Sequence, residues 1–210
     1  MNKNFKKGTT TVGIVCKNGI VLAADKRASA GYFIANKKMD KVVAINDTMA
    51  VTMAGLVSDA QLLTKLIRAE LNLKELKTGK TPQVKEAANL LGGMLYSNVR
   101  RMSMIQSIVG FLLAGVDHEG FHLYELGIDG SVTDCDDYCS DGSGSYLATG
   151  VLETLYQPGI NVEEGIVLAK KAINAAVQRD LATGDGIDLF TIRKDGVKKE
   201  FTQVINKRIE

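Results

Sequence analysis

Short runs of apolar and β-branched residues alternate with polar turn signals through the first quarter of the chain, and this pattern predicts strands. Residues 10–16 and 20–24 flank Lys17-Asn18-Gly19, where Asn-Gly suits the positive backbone angles of a tight hairpin turn. A second pair, residues 42–45 and 49–53, is interrupted by Asn46-Asp47. The Gly- and Lys-containing stretch between the pairs, residues 28–40, reads as a polar connection. The apolar period then changes. Ser58-Asp59-Ala60-Gln61 has the form of a capping box, and Leu62, Leu63, Leu66, Ile67 and Leu71 recur at helical spacing. Thr81 and Pro82 are expected to cap and open a second helix through Ala87, Leu90, Leu91, Leu95 and Val99 toward Met104.

Strand signal returns over residues 108–116 and 121–127, with a shorter stretch at 131–134. Two further helices are expected, over residues 146–155 and from Asn161, whose capping box with Glu164 leads into Ile166, Leu168, Ala169, Ala172, Ile173 and Ala176. Residues 187–193 and 200–205 close the chain as a hairpin around Lys194-Asp195-Gly196. Strand sets alternating with helix pairs, without single strand-helix-strand crossovers, predict an α+β fold of mainly antiparallel sheet. Two sheets packed face to face, each covered outside by a helix pair, bury every apolar face this pattern creates.

Length and composition narrow the picture. The 210 residues, 45% hydrophobic and 24% charged, suit one globular domain with a sizeable core. A formal charge of +2 from 26 basic and 24 acidic residues gives no field that favours nucleic acid or an acidic membrane. Cys16, Cys135 and Cys139 are an odd number, and the basic start MNKNFKKG lacks the apolar core of a secretory signal. A reducing, cytoplasmic setting with free thiols is expected. The longest apolar run, residues 108–116, is far short of the roughly 20 residues a membrane helix needs. His118, His122, Cys135 and Cys139 match no common zinc spacing, so neither metal nor cofactor is expected.

Gly8-Thr9-Thr10-Thr11-Val12 places hydroxyls between a glycine and a strand. Read alone, this is the polar face of a hairpin. Cleavage after Gly8 would give one residue, Thr9, both a hydroxyl and a free α-amine. An α-amine titrates at about 7.7–8.0, so it serves as a general base near neutrality where an ordinary lysine does not. Other segments are equally ordinary taken singly: Asp25-Lys26-Arg27 as a solvated turn, Lys41 as a surface charge, Gly142-Ser143-Gly144 as a flexible loop, Arg179-Asp180 as a helix-end pair. The glycine loop is no nucleotide fingerprint and no nucleophile elbow, since Asp141 holds the place of the first glycine.

Their order is more informative. Gly-Thr-Thr-Thr-Val-Gly-Ile from Gly8, Gly-Ile-Val-Leu-Ala-Ala-Asp-Lys-Arg-Ala-Ser from Gly19, Lys-Met-Asp-Lys-Val from Lys38 and Met-Ala-Gly from Met53 resemble successive signatures of proteasome β subunits. So do Gly-Ser-Gly-Ser from Gly142, Gly-Val-Leu-Glu from Gly150, and Arg179-Asp180 before Thr183-Gly184-Asp185. The resemblance spans nearly the whole chain. It implies the four-layer αββα sandwich of N-terminal-nucleophile (Ntn) hydrolases, with residues 1–8 as a propeptide removed by autocleavage between Gly8 and Thr9 and residues 9–210 as one catalytic domain.

The same resemblance implies Thr9 as nucleophile, Asp25 and Lys41 as its electrostatic partners, and Ser143, Asp180 and Thr183 as a supporting group. Many family members carry serine where this chain has Thr183. The Gly55 N–H would stabilise the oxyanion, and Ala28, Ser29, Met39, Val43, Met53 and Val57 would line an apolar pocket for the residue before the cut bond. Cleavage after large hydrophobic residues is expected. The implied partners are a β heptamer ring, rings of α subunits and unfolded polypeptides delivered by an ATPase unfoldase, with no nucleic acid and no membrane. Three alternatives stand beside it: an unprocessed structural ring member, an HslV-type peptidase, and a ligand-binding protein that uses residues 142–145.

Overall fold

The computed structural model describes residues 8–104 and 107–205. Two five-stranded sheets lie face to face. The first has the order β10-β1-β2-β11-β12, built from Tyr138–Asp141, Thr11–Cys16, Gly19–Asp25, Gly186–Arg193 and Gly196–Val204. The second has the order β5-β6-β7-β8-β9, built from Val42–Ala44, Met49–Gly55, Val109–Asp117, Gly120–Leu126 and Val132–Asp134. A small hairpin, β3 (Ala28–Ala30) with β4 (Phe33–Asn36), stands apart from both. All pairings among the described strands are antiparallel.

Period-2 alternation divides the apolar residues among three cores. Ile20, Leu22 and Ala24 of β2 meet Leu112 and Ala114 of β7 between the sheets, whereas Val21 and Ala23 point outward. Those outward residues pack against α3 (Ser145–Leu155) and α4 (Val162–Arg179) through Ala148, Leu152, Ala169 and Ile173. On the far side, Met49, Val51, Phe111 and Leu113 pack under α1 (Val57–Thr78) and α2 (Val84–Val99) through Leu63, Ile67, Leu91 and Leu95. This is the αββα sandwich expected from sequence. The central strands are buried on both faces, which is why they read as nearly continuous apolar runs.

Several boundaries differ from expectation. Helix α1 starts at Val57 after Leu56, with no side-chain cap from Ser58; the Leu56 N–H instead donates to the Ile108 carbonyl, so the sheet itself fixes the helix entry. Helix α2 starts at Val84, two residues after Pro82, capped by Gln83 and Glu86, with Asp117 accepting from the Val84 N–H at 2.9 Å. It ends at Val99, short of Met104. The Asn161–Glu164 capping box is present in both directions. The positive backbone angle expected of Asn18-Gly19 falls on Gly19 alone, at φ 156°, which opens β2 after a turn of Lys17 and Asn18, and the Asn18 carboxamide oxygen accepts from the Val162 N–H. Strands β3 and β4 fall in the segment read as a polar connection, and β10 in a stretch given no element; all three are short and partly polar. Among the described residues no helix is long and apolar enough to cross a membrane.

Candidate active site

The ends of β1 and β2 bring the first cluster together. Thr11 pairs with Ala24, so Thr10 lies beside Asp25, and their backbones are joined by the Asp25 N–H donating to the Thr10 carbonyl. Asp25 is fully buried and accepts four bonds. Its Oδ1 takes the Thr10 N–H at 3.0 Å and Lys41 Nζ at 2.7 Å; its Oδ2 takes the Arg27 N–H at 3.0 Å and the Gly184 N–H at 2.9 Å. A carboxylate satisfied on every side is an anchored counter-charge, not a mobile one. Lys41, just before β5, is itself buried, and that burial pushes its pKa below the ordinary lysine value. The charge and hydrogen bond of Asp25, with the charge of Asp180, partly offset the shift, while Arg27 adds to it.

Thr9 is buried at the head of β1, with its nitrogen in the peptide bond from Gly8. Its hydroxyl contacts the Gly8 carbonyl oxygen, and Lys41 Nζ lies 3.5 Å from that same oxygen. The Thr9 N–H points to Ser143 Oγ at 3.4 Å. Ser143 in turn donates to Asp180 Oδ2 at 2.5 Å, and Thr183 donates to the same oxygen at 2.5 Å. Thr10 Oγ1 lies 2.7 Å from Thr183 Oγ1, so a chain of hydrogen bonds runs around the Gly8–Thr9 junction. Gly142, at φ 100°, lets the loop from β10 pass close to this junction: a Cβ there would lie 2.1 Å from the Thr9 carbonyl oxygen.

A cavity of about 350 Å³ opens beside Thr9 and Lys41, and its walls are mostly apolar. Ala28, Ser29, Met39, Met53 and Val57 all line it. Gly55 closes one end of β6 at φ 129°. The Met53 N–H donates to the Lys41 carbonyl and the Leu56 N–H to the Ile108 carbonyl on the opposite edge. Strand alternation therefore turns the Gly55 N–H toward the Lys41 edge, one step beyond the last bond to that segment.

Sequence comparison bears on this arrangement. Residues 5–192 match the family model described as proteasome subunit. The chain is 45% identical over 190 residues to a proteasome subunit beta of Archaeoglobus profundus, covering 90% of this chain and 86% of that protein. It is 46% identical over 194 residues to proteasome subunit beta 1 of Thermococcus onnurineus, covering 92% of each, and 42% identical over its full length to proteasome subunit beta of Archaeoglobus fulgidus, covering 95% of that protein. The chain belongs to the proteasome subunit family.

In this proteasome subunit, the sequence-expected residues Thr9, Asp25, Lys41, Ser143, Asp180 and Thr183 gather around one peptide bond, and Gly55 borders the adjoining cavity. Val43 is placed differently. It is half-buried and packs against the core under α1 and α2, outside the cavity lining, because alternation along β5 turns it to the helix-covered face. The Thr183 hydroxyl is committed to Asp180 and Thr10 in this form of the chain. His118 lies beside Gln83 and His122 beside Asp117, and among the described residues no three His, Cys, Asp or Glu side chains gather as a metal site.

Three neighbours of the site were not singled out from sequence. Thr10 is fully buried and closes the hydrogen-bond chain. Arg27 grips Asp185 through Nε at 2.8 Å and the Leu181 carbonyl at 2.7 Å, holding the loop that carries Thr183. Lys26 is buried between Asp188 and Asp40, with Lys199 and Thr202 also on Asp188. Asp188 within Gly-Ile-Asp-Leu-Phe-Thr-Ile, an acidic residue in an apolar strand, is the sequence signal that could have revealed a buried cationic partner.

Proposed function

We propose that the chain is a threonine-type endopeptidase, the proteolytic β subunit of a 20S proteasome core, made as a precursor that removes residues 1–8 itself. The family and the αββα sandwich support an Ntn-type protease in general. The observation that carries the specific reading is the Thr9 hydroxyl against the Gly8 carbonyl, with the Lys41 ammonium 3.5 Å from the same oxygen.

In processing, Thr9 Oγ attacks the Gly8 carbonyl carbon, and the Gly8–Thr9 C–N bond breaks as the acyl group passes from nitrogen to oxygen, the hydroxyl proton ending on the nitrogen that is freed. Water then cleaves the ester, leaving Gly8 as a carboxylate and Thr9 with a free amine. Lys41 polarises the carbonyl and favours the developing alkoxide.

In turnover the amine accepts the hydroxyl proton as Thr9 attacks a substrate carbonyl. Lys41 favours the neutral amine and Asp25 holds Lys41 in place. The Gly55 N–H stabilises the oxyanion, the Thr9 amine passes that proton to the leaving amine of the substrate, and water releases the acyl group from Thr9. The apolar cavity suits a large hydrophobic side chain before the cut bond. Assembly follows the family: two β rings of seven, α rings outside, and polypeptide fed by an ATPase unfoldase.

Intact-mass and N-terminal analysis after co-expression with an α partner tests this reading. Wild type is expected to begin at Thr9 and to hydrolyse hydrophobic peptides, whereas Thr9→Ala keeps its leader and is inactive. A wild type that retains Gly8, with both proteins equally active, refutes the mechanism. Fastest turnover after Arg or Glu refutes the specificity.

A further inference from the structure

Residues 37–41 carry Lys41 into the site without regular secondary structure, between the end of β4 at Asn36 and the start of β5 at Val42. Their position therefore depends on the few bonds they make. The dipeptides Asp25-Lys26 and Asp40-Lys41 face each other with charges crossed: Asp25 binds Lys41 at 2.7 Å, and Lys26 Nζ binds Asp40 Oδ1 at 3.0 Å. The Lys26 carbonyl also accepts the Met39 N–H at 3.0 Å, so Lys26 holds this segment by backbone and side chain together.

Lys26 is in turn fixed from behind. Its ammonium binds Asp188, whose side chain is 1% exposed and also receives Thr202 Oγ1 and Lys199 Nζ, the latter at 3.1 Å. Asp188 pairs with Ala24 across β2 and with Thr202 across β12, inside the first sheet. The first sheet thus reaches the irregular segment at two points, Asp25 on Lys41 and Lys26 on residues 39 and 40, while the Met53 N–H of β6 holds the Lys41 carbonyl.

From this geometry we infer that Lys26 is a positioning residue for Lys41, transmitting the rigidity of β11 and β12 to the catalytic ammonium through Asp40. The inference rests on the proposed role of Lys41. It makes a prediction that loss of folded protein alone does not. The charged groups acting on Lys41 are Asp25 from β2, Asp180 from the end of α4, and Arg27. Burial is the largest influence and the net shift is downward. Loosening residues 39–41 returns Lys41 toward its solution value, so the alkaline limb of kcat moves to higher pH.

The test uses processed, assembled particles carrying Asp40→Asn, Lys26→Met or Lys41→Ala. The Asp40 side chain is 67% exposed, so Asp40→Asn cuts one exposed ion pair and leaves the thermal midpoint nearly unchanged. It is expected to lower kcat about two- to fivefold and to raise the alkaline limb by a few tenths of a pH unit. Lys26→Met is expected to cost about tenfold or more, with a shift in the same direction. If Lys26→Met does not assemble, Asp40→Asn alone decides. Unchanged kcat and limb in Asp40→Asn, beside an inactive Lys41→Ala, overturn the positioning role and leave the catalytic role of Lys41 standing. So does a fall in kcat with an unmoved limb. An active Lys41→Ala particle overturns the catalytic role itself, and the inference with it.

Discussion

Asp25→Asn is the substitution that most directly separates the roles assigned around Thr9. The shape is kept and one negative charge is lost. Asp25 accepts two bonds on each oxygen: Thr10 N–H and Lys41 on Oδ1, Arg27 and Gly184 N–H on Oδ2. A carboxamide offers one oxygen, so its NH₂ must face one of these pairs of donors. If it faces Arg27 and Gly184, two buried N–H groups lose an acceptor, at about 1–3 kcal/mol each. If it faces Thr10 and Lys41, an ammonium meets a donor. Either way Lys41 stays buried without its counter-charge, and breaking such a pair costs about 3–5 kcal/mol unless the lysine sheds its proton. The structure favours shedding. Lys41 already sits below its ordinary pKa through burial, and Asp25 supplies the first two of the influences that hold it up. In the proposed mechanism Lys41 acts in its charged form, so activity disappears as pH rises through its folded-state pKa, and a further depression moves that loss to lower pH. The assay is kcat against pH on a mature form beginning at Thr9, released from a removable N-terminal fusion so that slow processing does not mask the chemistry. A fall of about 10²–10³-fold in kcat is expected, comparable to losing an electrostatic stabiliser of the transition state, with the alkaline limb displaced downward. Wild-type kcat with an unmoved limb refutes the role of Asp25.

Gly8→Ala puts a Cβ 2.0 Å from Ala182 Cβ and 2.5 Å from its carbonyl oxygen. Overpacking that raises the processing barrier by about 1–3 kcal/mol is expected to slow processing by about 5- to 160-fold while the pre-released mature form keeps full activity, as a time course of precursor mass reads directly. Val57→Glu adds an acid at the wall of the cavity, at the first position of α1 where a helix favours negative charge. Relative kcat/KM for Arg over Phe before the cut bond is expected to rise about tenfold. The Asp188 carboxyl is held below its ordinary pKa: burial acts to raise it but is outweighed by the bonds from Lys26, Thr202 and Lys199. A depressed folded-state pKa gives stability that is present above the unfolded value and lost as pH falls through the folded one. Acid unfolding of Asp188→Asn should therefore be less steep over that range than wild type, measured by thermal midpoint against pH.

The parts of the fold that were legible in sequence are those whose physics is local. Strands such as β2 and β7 are apolar on both faces because both faces are covered, and the Asn161–Glu164 box sits directly before the apolar period of α4. Illegible parts had non-local causes. Helix α1 takes its start from a bond to Ile108, 52 residues away in sequence, so Ser58 resembled a cap without being used as one. Strand β10 is short and polar, and it is defined by pairing with β1, whose residue Thr11 lies opposite Asp141.

The site divides along the same line. Thr9, Asp25, Lys41, Ser143, Asp180 and Thr183 were named from the order of motifs, and the fold gathers them at one peptide bond. That order carried no information about which face of β5 Val43 occupies, nor about what holds Lys41 in position. The ammonium at position 41 stands on an irregular segment, and the two residues that bind Lys41 and Asp40 there, Asp25 and Lys26, are adjacent in sequence but opposite in charge. One neutralises Lys41; the other grips the residue beside it. A motif scan assigns weight to Asp25 because its partner is reactive and passes over Lys26 because its partners are not. Buried charge is costly wherever it occurs, so the fourfold-satisfied Asp25 and the triply bound Asp188 mark two anchors of one device. In the proposed mechanism the chemistry at Thr9 depends on both.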